Sequence, residues 1–231
     1  MNMEYEKPDE NFNRAEFLIR KAAESGCDTA VLPEMWNTGF LPKSNFEALC
    51  DRDCKRVKSQ IGSLARELNI NIVAGSVASI GNGKPRNTSC VFDRNGQLIC
   101  EYDKTNLFYP MDEDKYFTPG DGARLFTLDG IKCSVIICFD IRFDNPVKAA
   151  SENSDIVFCV AQWPSVRIGQ LETLAKERAE KYGAYYAVCN SCGKAEDTEY
   201  GGNSLICGRD GKITAKGGKT EEIITADILL D

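Results

Sequence analysis

Apolar runs of strand length alternate with amphipathic helical stretches along almost the whole chain. Residues 11–25 carry apolar side chains at helical spacing and stop before Gly26, which is typical of a helix C-terminus. A second helix is predicted over residues 55–68, followed by one strand through INIVAGSVAS. The last third repeats the alternation, with a helix through LETLAKERAEKYG between strands. This pattern predicts an α/β fold with mixed sheets, which we expect to form a single domain over residues 1–231.

Two glycine turns predict hairpins in the middle of the chain. Asn95-Gly96 joins NTSCVFD to QLICEYDK, and Asp129-Gly130 joins ARLFTL to IKCSVIIC. We expect these four strands to form one β meander. The C-terminal segment EEIITADI is also predicted to be a strand.

The absence of histidine excludes several kinds of catalytic site. None of the 231 residues is His, so Ser-His-Asp catalysis, Cys-His catalysis and His-ligated metals are excluded. Any acid–base catalysis must therefore use Glu, Asp, Lys, Tyr or Cys side chains. With 28 Lys and Arg against 35 Asp and Glu, the net charge is −7, which disfavours nucleic-acid binding. No apolar run is long enough to span a bilayer. We therefore expect a small-molecule substrate, with no nucleic-acid or membrane partner.

Cysteine is abundant, with 11 residues, several of them inside apolar runs. The first residues, MNMEYEKPDE, are too polar for a signal peptide, so we expect a cytoplasmic protein with reduced thiols. Cys189-x-x-Cys192 follows a strand, lacks a second pair and has no histidine nearby. We interpret these two cysteines as core and loop residues, and neither a zinc site nor a thioredoxin-like motif is predicted.

Three chemically useful side chains each follow directly on an apolar run. Glu34 ends AVLPE, Lys104 ends LICEYDK and Cys138 ends SVIIC. Active sites of α/β proteins collect at such strand ends. A catalytic thiol needs a base, and without histidine a carboxylate is the natural one, while a nearby ammonium makes the thiolate more available. The alternatives are a solvated carboxylate, a lysine at the rim of a cleft and a buried structural cysteine.

These residues lie in blocks that resemble the nitrilase, or carbon–nitrogen hydrolase, superfamily. LPEMWNTGF, YDKTNLF and CFDIRF occur in the family's order, and supporting blocks such as DEDKYFTPG, AQWP and YGGNSLICGRDGKI extend the resemblance over nearly the whole chain. The pattern is most similar to the omega-amidase branch. The resemblance implies a four-layer α-β-β-α sandwich, a homodimer or higher homo-oligomer, and no cofactor or metal.

The resemblance also implies a role for each matching residue. Cys138 would be the nucleophile that forms a thioester, and Glu34 the general base. Lys104 would stabilise the oxyanion, together with the backbone N–H of Phe139. Glu113 matches the family's second active-site glutamate, which positions Lys104 and the substrate.

Some positions depart from the family pattern or leave alternatives open. Asp112 and Asp114 are the neighbouring candidates for the role of Glu113. Asn106 and Asn203 stand where the family usually has histidine, and neither belongs to the catalytic set. Family members also open with an apolar strand that this sequence lacks before its first helix. We therefore expect either a sandwich without its first strand or a start site placed too late.

The substrate is the least determined property. Small dicarboxylate monoamides such as 2-oxoglutaramate are the substrates of the omega-amidase branch, and Arg142 or Arg167 is expected to bind the carboxylate. Arg142 has a second interpretation, as an ion-pair partner of Asp140 that braces the turn after the nucleophile. Trp163 is expected to line the pocket. N-carbamoyl compounds and nitriles remain alternative substrates, and a thiol redox protein or an inactive binding scaffold are alternatives of another class.

Overall fold

The computed structural model describes residues 1–42 and 45–230. Its α-helices are α1 (Pro8–Glu24), α2 (Phe46–Leu49), α3 (Lys55–Leu68), α4 (Glu113–Tyr116), α5 (Asp144–Ser151) and α6 (Ile168–Tyr182). Short 3-10 helices span Tyr109–Met111, Cys138–Arg142 and Ser165–Arg167. The strands are β1 (Thr29–Val31), β2 (Asp51–Arg52), β3 (Asn71–Val73), β4 (Val77–Ile80), β5 (Arg86–Phe92), β6 (Leu98–Asp103), β7 (Leu125–Leu128), β8 (Ile131–Ile137), β9 (Ile156–Ala161), β10 (Tyr185–Asn190), β11 (Cys192–Ala195), β12 (Thr198–Gly201), β13 (Leu205–Cys207) and β14 (Ile213–Lys216).

The strands form two six-stranded sheets and a small hairpin. In the first sheet, β5 lies between β6 and the pair β3 and β4, while β1 and β2 run parallel to β3 and β4 respectively. The second sheet has the order β14-β13-β10-β9-β8-β7, with β8, β9 and β10 parallel. Strands β11 and β12 pair with each other as the hairpin. Of the catalytic candidates, Glu34 and Lys104 therefore follow strands of the first sheet, and Cys138 follows a strand of the second.

Alternating side chains of the strands build a four-layer sandwich. In the first sheet, Ile72 and Phe92 pack in a core with helices α1 and α3, whereas Val73 and Val91 pack against the second sheet. The second sheet packs its other face against α5 and α6, through residues such as Leu171. Because successive strand residues point to opposite faces, each central strand contributes to two cores. The predicted α-β-β-α fold is confirmed.

The predicted meander is wrong, because its two hairpins lie in different sheets. Strands β5 and β6 pair in the first sheet, and β7 and β8 pair in the second. The connection from Lys104 to Arg124 crosses between them and carries α4. This crossing places the end of β6 beside the end of β8, which assembles the site described below.

Two further strand predictions differ from the structure. INIVAGSVAS is broken into β3 and β4 at Gly75, whose φ is +59°. A Cβ atom there would lie 2.0 Å from the carbonyl oxygen of Pro33, so the chain needs glycine to make this close approach. EEIITADI is not a strand, and Glu221 of this segment instead accepts hydrogen bonds from the backbone of Asn2 and from Arg14.

The segment before α1 makes no strand with either sheet. Asn2 forms a single parallel bridge to Cys192, and Met1 and Met3 are buried. No helix in the described part of the chain is both long enough and apolar enough to cross a membrane.

Candidate active site

The structure brings the catalytic candidates to one place between the two sheets. Glu34 follows β1, Lys104 follows β6, and Cys138 begins the 3-10 helix after β8. Glu34 also accepts a hydrogen bond at 3.0 Å from the backbone N–H of Gln162, which follows β9. The site is thus held by strand ends of both sheets, as the positions of these residues in the sequence predict.

A buried ammonium group lies between two buried carboxylates. Lys104 Nζ is 2.8 Å from Glu34 Oε1 and 2.9 Å from Glu113 Oε2, and the three side chains are fully excluded from solvent. Burial alone would lower the pKa of Lys104, but the charges of Glu113 and Glu34 outweigh this effect and raise the pKa well above its ordinary value. Lys104 therefore stays a cation at any physiological pH.

Glu113, rather than its neighbours Asp112 and Asp114, makes this contact. It is the first residue of α4, and its Oε2 also accepts a hydrogen bond from the backbone N–H of Phe108 at 2.5 Å. Glu113 is fully buried, whereas Asp112 and Asp114 are exposed. The short helix thus holds the carboxylate against Lys104.

Asn87 on β5 is a part of the site that the sequence did not indicate. Its side-chain amide donates hydrogen bonds to Glu34 at 3.0 Å and to Glu113 at 3.3 Å, and the residue is buried. One amide group therefore bridges two carboxylates that would otherwise repel each other. The sequence holds no clear signal for it, since Arg86, Thr88 and Ser89 beside it on the same strand are also polar.

Glu34 has the electrostatic character of a general base. Burial raises the pKa of its carboxyl, the charge of Lys104 partly offsets this, and the charge of Glu113 adds to the rise. Its hydrogen-bond partners include the Cys138 thiol. A carboxylate of raised pKa beside a thiol is suited to accept the thiol proton.

The pKa of the Cys138 thiol is shifted upward. Burial raises its pKa well above the ordinary value, and the charge of Glu34 raises it further, whereas Lys104 lowers it only in part. Lys104 thus favours the thiolate, as expected of a nearby ammonium, but burial and the charge of Glu34 outweigh its effect on the pKa of Cys138. Cys138 also has φ of +48°, a strained conformation for a residue other than glycine. The strained turn holds the thiol within hydrogen-bond distance of Glu34.

Asp140 fixes the loop that carries Cys138. Its carboxylate accepts hydrogen bonds from the Tyr102 hydroxyl at 2.7 Å, from Thr105 at 2.8 Å and from the backbone N–H of Asn106 at 2.7 Å. The interpretation of Asp140 as the ion-pair partner of Arg142 is wrong, because these groups and the N–H of Ile137 already occupy its oxygens. Asp140 instead ties the Cys138 turn to the loop after Lys104.

The cleft above Cys138 is lined by aromatic residues and arginines. The lining residues are Phe40, Lys104, Phe108, Met111, Cys138, Phe139, Arg142, Gln162, Trp163, Pro164, Arg167, Thr198 and Tyr200. None of these lining residues is Asp or Glu, so the cleft is locally positive in a chain of net charge −7.

Arg142 and Arg167 supply that positive charge. The Arg142 guanidinium lies 4.9 Å from the centre of the Trp163 ring and donates a hydrogen bond to Gln170. The Trp163 indole N–H is occupied by the backbone carbonyl of Arg167, which leaves the ring as a wall of the cleft. Within the described part of the chain, neither arginine has a carboxylate partner.

Phe139 lies in the first turn of the 3-10 helix after Cys138, where backbone N–H groups lack helical partners. Its ring packs edge-to-face on Phe108 at 4.9 Å.

By contrast, Cys189 and Cys192 lie on different strands, β10 and β11, and both are free thiols. The Cys189 thiol donates to the carbonyl of Val31. The two residues belong to the interior and to the hairpin, away from the cleft lining.

Comparisons with known proteins agree with this geometry. The family model described as carbon-nitrogen hydrolase matches residues 1–231. The chain is 38% identical to a 2-oxoglutaramate amidase of Bacillus subtilis over 98% of this chain and 87% of that one. It is 30% identical to an omega-amidase NIT2 of Xenopus tropicalis, over 96% and 84%. An amidase of Nesterenkonia sp. AN1, with acrylamide added to its active-site cysteine, superposes with a TM-score of 0.89 at 21% identity, covering 99% of this chain and 90% of that one.

Proposed function

The chain belongs to the carbon-nitrogen hydrolase family, and we propose that it hydrolyses the terminal amide of a small dicarboxylate monoamide, releasing ammonia. The chain is an enzyme that acts on carbon–nitrogen bonds. The choice of substrate rests on Arg142 and Arg167, two arginines of the cleft lining that have no carboxylate partner among the described residues. The name of the 2-oxoglutaramate amidase relative agrees with this substrate class.

In the proposed mechanism, Glu34 accepts the Cys138 proton as the sulfur attacks the amide carbon. The negative oxygen of the tetrahedral intermediate is stabilised by Lys104 and by the backbone N–H of Phe139. Glu34 then passes the proton to the leaving nitrogen, so ammonia departs and a thioester remains on Cys138. Water, deprotonated by Glu34, cleaves the thioester to a carboxylic acid and restores the thiol.

Glu113 and Asn87 act as positioning residues in this scheme. Glu113 also holds Lys104, with Nζ–Oε distances of 2.9 and 3.0 Å. Lys104 is therefore fixed in place before substrate binds. A preorganised cation of this kind stabilises an oxyanion at little cost in reorganisation.

Arg142 and Arg167 are the proposed carboxylate ligands. A guanidinium can donate two parallel hydrogen bonds to a carboxylate, which favours acidic amides over neutral ones. The planar Trp163 ring beneath Arg142 fixes the orientation of its guanidinium. The substrate then spans from Cys138 to the arginines, with the amide at one end and the carboxylate at the other.

A substrate panel tests this function. We expect ammonia release from 2-oxoglutaramate or succinamate to be far faster than from butyramide. Arg142→Ala or Arg167→Ala at the true contact should raise KM for the acidic amide about tenfold to a hundredfold, since a hydrogen bond to a charged group contributes about 1.5–3 kcal/mol. The matched control is Arg124→Ala, since Arg124 is a surface arginine paired with Asp121. This variant should leave KM unchanged for both the acidic and the neutral amide.

Two results would overturn the substrate assignment. One is faster turnover of a nitrile or an N-carbamoyl amine than of either acidic amide. The other is equal KM values for succinamate and butyramide. Either would leave the roles of Cys138, Glu34 and Lys104 intact, because an amide, an N-carbamoyl compound and a nitrile each present an electrophilic carbon bonded to nitrogen that a thiol can attack.

We further propose a homodimer or higher homo-oligomer in the cytoplasm. The resemblance to the family supports the assembly, and the eleven free cysteines suit a reducing compartment. Light scattering on the purified protein should give at least twice the mass of one chain. A monomer at micromolar concentration would contradict the assembly.

A further inference from the structure

Two cysteines and a glutamate outside the catalytic site form a second polar cluster. Cys54 precedes α3, Cys90 lies on β5 and Glu101 lies on β6, directly opposite Cys90 in the ladder. Their sulfur and carboxylate oxygen atoms all lie within 4.8 Å of one another. Cys54 and Cys90 are each 1% exposed, whereas Glu101 opens to solvent. The cluster therefore has a buried end and an accessible end.

We propose that Cys54, Cys90 and Glu101 bind a soft divalent cation such as Zn²⁺. Two thiolates and a carboxylate are ligands that zinc accepts, and water from the open side would complete a tetrahedron. In such a site, sulfur atoms bonded to zinc at ~2.3 Å lie ~3.8 Å apart. The two sulfur atoms of the cluster would need to move closer by about 1 Å or less to reach this spacing.

The cluster already holds a positive charge at its open end. Lys58, one helical turn after Cys54 on α3, places its Nζ 2.9 Å from Glu101. Its side chain is 34% exposed, so the ammonium is free to move into solvent when a metal ion binds. On binding, each thiol loses its proton to the buffer and forms a sulfur–metal bond. Lys58 is therefore a competitor of the metal rather than a ligand.

A bound ion would join three elements of the fold. It would link the start of α3 to β5 and β6, on the face of the first sheet that is remote from Cys138. The expected role is structural, and the catalytic chemistry does not pass through it.

Metal titration of the full chain tests the proposal. The protein is kept reduced with a phosphine and carries Cys138→Ser, so that the catalytic thiol does not bind metal. Cd²⁺ is added, its sulfur-to-cadmium absorption is followed, and Zn²⁺ is counted by equilibrium dialysis. We expect one ion per chain. Cys54→Ser or Cys90→Ser should weaken binding at least tenfold, whereas Cys100→Ser, a buried cysteine on β6 outside the cluster, should retain it.

Two exposed side chains keep the test valid if a cysteine variant fails to fold. Glu101→Gln should weaken binding, and Lys58→Gln should strengthen it several-fold, because the competing ammonium is gone. Undiminished cadmium absorption in Cys54→Ser or Glu101→Gln would overturn the proposal. Weaker binding in Lys58→Gln would also overturn it, since the ammonium would then not occupy the position of the metal.

Discussion

At the scale of single residues, the site depends on charges that are buried and mutually compensated. Lys104 lies between Glu34 and Glu113, so removing the lysine would leave two buried carboxylates without their cation. Breaking a buried ion pair typically costs about 3–5 kcal/mol of stability. Lys104→Ala is therefore a poor test of catalysis, because loss of folding and loss of function would coincide.

Glu34→Gln is the sharper substitution, because glutamine keeps the shape of the side chain. We expect kcat to fall about 10²–10⁴-fold, the usual contribution of a general base. Circular dichroism should be unchanged. Ammonia release from succinamate measures the effect, and turnover close to that of the wild type would show that another group takes the Cys138 proton.

The pH dependence of the reaction should report Glu34. The ionised carboxylate is the active form, and burial raises its pKa. The rate should therefore fall, as pH is lowered, at a pH above the ordinary glutamate value of about 4.3. A midpoint at or below that value would contradict the role of Glu34 as base.

Asn87→Ala tests whether the bridging amide sets this behaviour. Loss of a donor to Glu34 disfavours the charged form, so the acid limb of the kcat/KM profile should move to higher pH. Asn87→Asp should move it further, by adding a like charge. A lower kcat with an unmoved acid limb would mean that Asn87 only supports the fold.

At the scale of secondary structure, the sequence predicts helices and hairpins well, but it does not predict where the chain crosses from one sheet to the other. The helix predicted over residues 55–68 is α3, and Asn95-Gly96 closes the β5–β6 hairpin as predicted. These features depend on neighbouring residues. The meander prediction failed because local pairing says nothing about which sheet receives the next hairpin. EEIITADI failed because no strand among the described residues pairs with it, and its Ile223 is exposed.

Gly75 shows why one apolar run became two strands. Its φ of +59° and its contact with Pro33 bring the β3–β4 junction against the segment that carries Glu34. Alanine fits neither the conformation nor the space. We expect Gly75→Ala to destabilise the protein by at least about 2 kcal/mol in urea unfolding and to lower activity.

Gly83→Ala is the matched control, since no atom lies within 4 Å of its added Cβ. It should change stability by less than about 0.5 kcal/mol. If both variants unfold at the same urea concentration as the wild type, the close approach at Gly75 is not required.

At the scale of the whole molecule, the two sheets each supply part of the site. The order of Glu34, Lys104 and Cys138 at strand ends was readable from the sequence, because each follows an apolar run. Asn87 and the Asp140 network were not, since their partners lie in other elements: Asn87 meets Glu34, and Asp140 meets Tyr102. Long-range hydrogen bonds of this kind leave no periodic signal.

The proposed mechanism assigns the chemistry to one cysteine among eleven, Cys138. Iodoacetamide, itself a small amide, should enter the cleft and inactivate the enzyme at one equivalent per chain. Peptide mapping should then find the label on Cys138, in proportion to the activity lost, and succinate should slow the labelling. Loss of activity with the label on Cys189 or Cys192 instead, or full activity in a protein labelled at Cys138, would contradict the claim.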